Sequence, residues 1–115
     1  MTKEELKART KKFSLDIINL AEVLPKANSV WTISNQLVRC GTSVGANYRA
    51  VCRARSEKEF IAKMNIVLEE ADEAGFWLEI IKEKNWAPTD ELLKEANELT
   101  AIFVAALKTI NKKKN

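Results

Sequence analysis

The sequence predicts an all-α protein, an up-down-up-down four-helix bundle, and three observations support this fold class. Apolar residues recur at spacings of three and four in four separate segments, which is the period of a buried helix face. No segment shows the apolar–polar alternation of a strand. The connections are short and carry capping residues or proline. We therefore expect a single domain over residues 1–115, with helices at about 2–24, 31–55, 57–84 and 89–111.

The first helix is bounded by two sequence signals. Thr2 and Glu5 match the capping box, in which side chains satisfy two backbone N–H groups at the start of a helix. Pro25 has no backbone N–H and is expected to end the helix. The predicted core stripe of this helix consists of Leu6, Phe13, Ile17, Leu20 and Leu24.

The second helix is predicted to begin near Trp31, after the capping residues Asn28 and Ser29. Its predicted core stripe consists of Ile33, Leu37, Cys40, Val44 and Val51. Beside this stripe, Gly41 and Gly45 leave a groove, although each glycine costs about 1 kcal/mol of helix propensity. A close packing contact must offset that penalty. A neighbouring helix or another polypeptide could provide it, so both glycines are candidate oligomer-interface residues.

The third helix carries the longest heptad pattern. Ser56 and Glu59 form a second capping box, which favours a break between helices two and three. The core stripe that follows consists of Phe60, Met64, Val67, Ala71, Ala74, Leu78 and Ile81. Phe76, Trp77 and Ile80 add large apolar side chains outside that stripe, and we interpret them as a candidate oligomer interface.

The fourth helix is predicted to begin at the capping residue Thr89, after a turn that contains Pro88. Its core stripe consists of Leu92, Ala96, Leu99, Phe103, Ala106 and Ile110. The tail, residues 111–115, contains three lysines and is expected to fray.

Composition argues against several classes of protein. The chain has no histidine, which excludes Ser-His-Asp and Cys-His catalysis and zinc–histidine sites. Cys40 and Cys52 lie about 18 Å apart on one predicted helix, beyond the reach of a disulfide. The three glycines do not form a phosphate-binding loop. We therefore expect no enzymatic activity, no metal site and no cofactor.

The hydropathy pattern indicates in which cellular compartment the protein is expected. No apolar run approaches the roughly 20 residues that a membrane span needs. The first ten residues, MTKEELKART, lack the apolar centre of a signal peptide. We therefore expect a cytoplasmic protein that has no membrane partner.

Antiparallel packing is expected to gather basic residues at one pole, formed by the starts of helices one and three and the ends of helices two and four. This pole holds fourteen basic and four acidic residues, a net charge of +10, whereas the other half carries −7 and the chain +3. Helix dipoles explain cations at helix C-termini but disfavour those at the start of helix one. The pole is therefore either a solvated surface or a phosphate-binding surface. The candidate nucleic-acid contacts are Lys3, Lys7, Arg9, Lys11, Lys12, Arg49, Arg53 and Arg55.

Some side chains have structural interpretations as well. Arg39 on the second helix is placed to pair with Glu73 on the third. Trp31, Trp77 and Trp86 gather at the acidic pole, where they either close the end of the core or contact another subunit.

Residues 37–49, LVRCGTSVGANYR, carry a more specific signal. Together with the dipeptide at 24–25 and the segments 31–36 and 53–56, they resemble the bacterial four-helix-bundle family whose founding members are encoded in intervening sequences of 23S rRNA genes. The resemblance extends over about residues 13–81. Ala50 departs from the family pattern, which has an acidic residue here, and this difference would remove one local ion pair.

The resemblance implies an up-and-down four-helix bundle and a ring-like homo-oligomer, commonly a pentamer. It also implies kinship with the accessory protein of diversity-generating retroelements, a basic pentameric barrel that works with nucleic acid and a reverse transcriptase. The family has no established enzymatic activity, and its ribosomal name records gene location.

Two functional hypotheses follow. In the first, the chain is a non-enzymatic homo-oligomer that binds RNA or other nucleic acid through phosphates at the basic pole. In the second, it is a protein-interaction scaffold. There, the apolar face of helix three or the Gly41/Gly45 groove receives another polypeptide, such as a reverse transcriptase or a second copy of the chain.

Overall fold

The computed structural model describes the backbone of residues 1–114 and the side chains of residues 1–112; within this part there are four α-helices and no strand. The helices are α1 (Lys3–Glu22), α2 (Asn28–Cys52), α3 (Glu57–Glu83) and α4 (Asp90–Lys114). They form a bundle of 49 × 22 × 21 Å. The predicted all-α four-helix bundle is confirmed.

Each helix packs against the next one along the chain. Short connections join α1 to α2, α2 to α3 and α3 to α4, so sequential neighbours are antiparallel. The contact between α1 and α4 is the least extensive of the four interfaces between helices. The bundle is therefore held mainly by sequential packing.

The start of α1 has the capping box that the sequence predicts. The Glu5 backbone N–H donates to the Thr2 hydroxyl at 3.0 Å, and the Thr2 N–H donates to a Glu5 carboxylate oxygen at 3.4 Å. The helix ends at Glu22, two residues before the predicted end.

The bounds of α2 differ from those predicted. The helix begins at Asn28, so Asn28 and Ser29 lie in its first turn and do not precede it. The residue before the helix is Ala27, which has the extended backbone usual at this position (φ −157°, ψ 159°) and makes no side-chain hydrogen bond to the first turn. At the other end α2 stops at Cys52, which leaves Arg55 in the connection.

The break between α2 and α3 is confirmed, because the Ser56 hydroxyl caps α3 by accepting the Glu59 N–H at 3.0 Å. Thr89 differs from its predicted role. Its buried hydroxyl donates to the Leu78 carbonyl at 3.1 Å and so ties the start of α4 to α3. The predicted fraying of the tail is wrong for residues 111–114, which continue α4, and residue 115 lies outside the described residues.

The core follows the predicted stripes. All five predicted residues of α1 are buried, and Phe13 and Ile17 are at most 1% exposed. The centres of the other stripes are buried too, whereas Ile33, Phe60 and Leu92 lie partly buried at the margins. The 3.6-residue period therefore identified the buried faces.

Close approach of α1 to α2 explains both glycines of α2. A Cβ at Gly41 would lie 2.8 Å from both Cγ atoms of Ile17, and a Cβ at Gly45 would lie 2.8 Å from the Ser14 hydroxyl oxygen. That hydroxyl also donates to the Gly41 carbonyl at 3.0 Å. The groove is filled by α1 of the same chain, which corrects the prediction that Gly41 and Gly45 receive another polypeptide.

Helix α4 is shifted along α1 relative to a bundle in which the start of α4 lies beside the end of α1. The Arg9 Nε donates to Glu95 at 2.7 Å, so the second turn of α4 lies beside the first half of α1. A groove next to this pair is lined by Lys12 and by the acidic residues Asp16, Asp90, Glu91 and Glu95. Carboxylates that were assigned to the opposite half thus reach the cations of α1. The basic surface is smaller than the predicted +10 pole.

Candidate nucleic-acid interface

Three predicted contact residues line one pocket between α1 and α2. Lys7 belongs to the second turn of α1, and Arg49 and Arg53 are one turn apart at the end of α2. Together they surround a cavity of about 310 Å³. The close glycine contact between the two helices places this lysine beside the two arginines. We call Lys7, Arg49 and Arg53 the basic pocket.

The three cations of the basic pocket have almost no neighbouring carboxylates to neutralise their charge. Among the described residues, neither Arg49 nor Arg53 forms a salt bridge. Lys7 approaches Glu4 at 3.7 Å, but the side chain of Glu4 is 80% exposed. Since α2 contains no acidic residue, the pocket can bind an anion without first breaking a strong ion pair.

Three more predicted contacts flank this pocket. Lys3 and Lys11 lie one turn before and after Lys7 on α1, and Arg55 follows α2 in the connection to α3. All three side chains are exposed, and none of them forms a salt bridge within the described part of the chain.

Arg9 was predicted to contact nucleic acid, but its side chain points towards α4 and forms ion pairs there. Its guanidinium donates to both carboxylate oxygens of Glu95, at 2.7 and 2.6 Å, and to Glu98 at 2.8 Å. The hydrogen bond to Glu95 raises the pKa of Arg9 above its already high ordinary value. Arg9 therefore stays charged, and carboxylates of the same subunit neutralise its charge. We exclude Arg9 from the interface for this reason.

Lys12 lies on the same side of α1 as Arg9. Its ammonium donates to the Asp16 carboxylate at 2.6 Å, one turn along the helix, and this hydrogen bond raises the pKa of Lys12. An ammonium in an ion pair is a weaker phosphate ligand than a free one. Lys12 lies outside the basic pocket, but its side chain is 76% exposed and the ion pair is a weak one, so it stays a predicted contact.

The remaining arginine of α2 is neutralised as the sequence predicted. Arg39 pairs with Glu73 and, at 3.1 Å, with Glu70, both on α3. The Trp77 indole N–H also donates to Glu73, at 3.0 Å. This indole hydrogen bond and Arg39 lower the pKa of Glu73. Of the three arginines on α2 and its C-cap position, Arg39 is held in ion pairs, whereas Arg49 and Arg53 are not.

The predicted apolar interface on α3 lies partly at the surface. Phe76 is 52% exposed, and its ring meets Trp77 edge to face with centroids 4.9 Å apart. Trp77 and Ile80 are half-buried. Of the three tryptophans, Trp77 and Trp86 pack against the core, whereas Trp31 is 69% exposed and does not close it. For Trp31 the alternative, a contact with another subunit, stays a prediction.

Two further features of the described residues concern metal-binding groups and thiols. No group of three or more histidine, cysteine, aspartate or glutamate side chains among the described residues is arranged to hold a metal ion. Burial raises the pKa of the Cys40 thiol to about 12, which keeps it protonated and a poor nucleophile. A search of the described residues finds no helix long and apolar enough to cross a membrane.

Fold and surface together define a class: a small helical bundle with a basic pocket at the junction of two helices. The chain belongs to the 23S rRNA-intervening sequence protein family, whose model matches residues 3–105. The family resemblance found in the sequence is thereby confirmed. No curated protein matches the chain.

A solved structure supports the same grouping. The chain is similar to a crystal structure from Bacteroides thetaiotaomicron, described as a protein with unknown function from the S23 ribosomal protein family. The two are 30% identical, with a TM-score of 0.82, over 89% of this chain and 97% of that chain. Neither this description nor that of the family names an enzymatic activity.

Proposed function

We propose that this protein is a non-enzymatic homo-oligomer that binds RNA or other nucleic acid through the phosphate backbone. The observation that carries the proposal is the basic pocket, where three cations converge without a strong carboxylate partner. Arginine and lysine in such an arrangement are suited to phosphate oxygens. Lys3, Lys11 and Arg55 extend the surface on either side.

The helix dipole is the competing explanation for part of this charge. Arg49 and Arg53 lie at the C-terminal end of α2, where cations are favoured by the dipole. Lys7 lies near the N-terminal end of α1, where the dipole disfavours cations. Its position beside the two arginines therefore supports a ligand that favours concentrated positive charge.

A comparison of Arg39 on α2 with Arg53 at the C-cap of α2 tests the proposal. Arg53→Gln removes a free cation, and Arg39→Gln removes one that Glu70 and Glu73 already neutralise. Both variants change the net charge by the same amount. In filter binding to structured RNA at low salt, we expect Arg53→Gln to weaken binding several-fold and Arg39→Gln to change it little. Equal effects, or no binding by the unsubstituted protein, would contradict the proposal.

A protein-interaction surface is the second candidate, and the exposure of Phe76 favours it. The Phe76–Trp77 pair presents apolar area outward from α3, and side chains of this kind are enriched at protein interfaces. We propose a second copy of the chain as the partner, and a ring of copies would concentrate the basic pockets on one assembly.

Light scattering separates the possible interfaces. Phe76→Asp should lower the measured mass towards that of a 13.0 kDa protomer, because it buries a charge in the contact. Leu15→Asp on α1 is a matched control, since Leu15 has the same 52% exposure. If the unsubstituted protein is a monomer, or if Leu15→Asp dissociates it instead, this face of α3 is not the interface.

A further inference from the structure

A second cavity lies next to the basic pocket, where the starts of α1 and α3 meet the end of α2. It has a volume of about 260 Å³ and is lined by Lys3, Tyr48, Cys52, Ser56 and Phe60 among others. None of the described residues that line it carries a carboxylate. Most small-molecule sites measure roughly 300–1,000 Å³, so this cavity suits a single flat ring system.

The two cavities adjoin along both helices. Lys3 of this cavity is one helical turn before Lys7 of the basic pocket, and Cys52 directly precedes Arg53. A polymer with anionic groups at the basic pocket would therefore pass the opening of the second cavity.

Tyr48 gives the cavity a hydroxyl group carried on a largely buried ring. The residue is only 6% exposed, and its ring stacks against Phe103 with centroids 6.2 Å apart, so it is held rigidly. Within the described part of the chain, its hydroxyl makes no hydrogen bond of ordinary geometry, and no buried polar side-chain atom is left without a partner, so the hydroxyl is open to the cavity. An accessible hydroxyl on a fixed ring can donate to or accept from a ligand in the cavity.

We propose that this cavity receives one unpaired base of a single-stranded nucleic acid whose phosphates occupy the basic pocket. Phe60, a half-buried aromatic side chain at the rim, provides a face on which a base stacks. The Tyr48 hydroxyl and the Lys3 ammonium donate to the carbonyl oxygens and ring nitrogens of the base edge. The inference rests on the proposed function and specifies its substrate as single-stranded.

The test compares three DNA ligands of equal length at low salt: a single strand, the same strand without bases, and a duplex. Phe60→Leu retains apolar volume and removes the aromatic face. We expect it to weaken binding of the single strand by about 5- to 100-fold and to leave the other two ligands unaffected. Trp31→Leu, which removes an exposed aromatic side chain at the start of α2, is the control and should change none of the three affinities.

Tyr48→Phe is the second variant, because it keeps the ring that stacks on Phe103 and removes only the hydroxyl. It should weaken binding of the base-containing single strand about 2- to 10-fold. The base pocket is refuted if Tyr48→Phe leaves all affinities unchanged, or if the strand without bases binds the unsubstituted protein as tightly as the normal strand. In either case retained binding of the duplex would leave the proposed function standing. No binding of any ligand would refute both.

Discussion

The contact between α1 and α2 should make Gly41→Ala destabilising, against the usual effect of alanine in a helix. Replacing a helical glycine by alanine normally stabilises by about 1 kcal/mol. Here the new Cβ would lie 2.8 Å from both Cγ atoms of Ile17, which is 0% exposed. Isoleucine has essentially one χ1 rotamer in a helix, so the side chain cannot rotate away and the helices must separate.

The magnitude follows from two opposing terms. Overpacking a core costs about 1–3 kcal/mol, and the gain in helix propensity offsets about 1 kcal/mol of it. Gly75→Ala is the matched control, because the nearest atom to its new Cβ is the Ala96 Cβ at an ordinary 4.0 Å. That variant should therefore be stabilised. The two variants should differ by about 1–3 kcal/mol, with Gly41→Ala the less stable.

Urea unfolding at one fixed protomer concentration measures this difference, since any oligomer makes stability depend on concentration. With an m-value of about 2 kcal/mol/M, a difference of about 2 kcal/mol separates the two midpoints by roughly 1 M. The reasoning is refuted if Gly41→Ala unfolds at the same urea concentration as Gly75→Ala or at a higher one. That outcome would mean that α1 does not hold the groove closed.

The pKa of two groups gives further predictions. Hydrogen bonds from Trp77 and Arg39 lower the pKa of Glu73 in the folded protein. The ionised Glu73 carboxylate therefore stabilises the fold fully above the ordinary glutamate pKa of about 4.3. This stabilisation is lost as the pH falls through the lower pKa of the folded state. In urea titrations, the stability of Trp77→Phe should depend less on pH below about 4.3 than that of the unsubstituted protein. If stability falls equally steeply at low pH in both proteins, the hydrogen bond from Trp77 to Glu73 does not lower the pKa of Glu73. Under native conditions a thiol reagent should modify the half-buried Cys52 and leave Cys40 protected, since burial raises the pKa of Cys40 to about 12. Rapid modification of a thiol in a Cys52→Ser variant would refute this.

Features that depend on local sequence were predictable. The capping side chains of Thr2 and Ser56 lie three residues from the N–H groups that they bind, so the starts of α1 and α3 could be located. The start of α2 was placed too late because Ala27 begins the helix without a side-chain hydrogen bond. Alanine has no side-chain oxygen and is not a preferred capping residue, so nothing in the sequence marked this position as the start of a helix.

Features that depend on how the helices are placed could not be predicted. Arg9 and Glu95 are 86 residues apart, and their pairing depends on the offset between α1 and α4, which loop lengths do not fix. The glycines of α2 indicated a close neighbour, but their spacing does not say which helix it is. The three residues of the basic pocket belong to the predicted set of contacts, but the sequence could not show that Arg9, from the same set, pairs with α4.

The salt dependence of nucleic-acid binding tests the central claim most directly. Each phosphate contact contributes about 0.9 to the slope of log affinity against log salt for duplex ligands and about 0.7 for single strands. If the basic pocket binds phosphates, a variant that carries both Arg49→Gln and Arg53→Gln should have a slope shallower by about 1.4–1.8. Arg39→Gln should retain the slope of the unsubstituted protein. An unchanged slope in the double variant, or the same flattening in Arg39→Gln, would contradict the account.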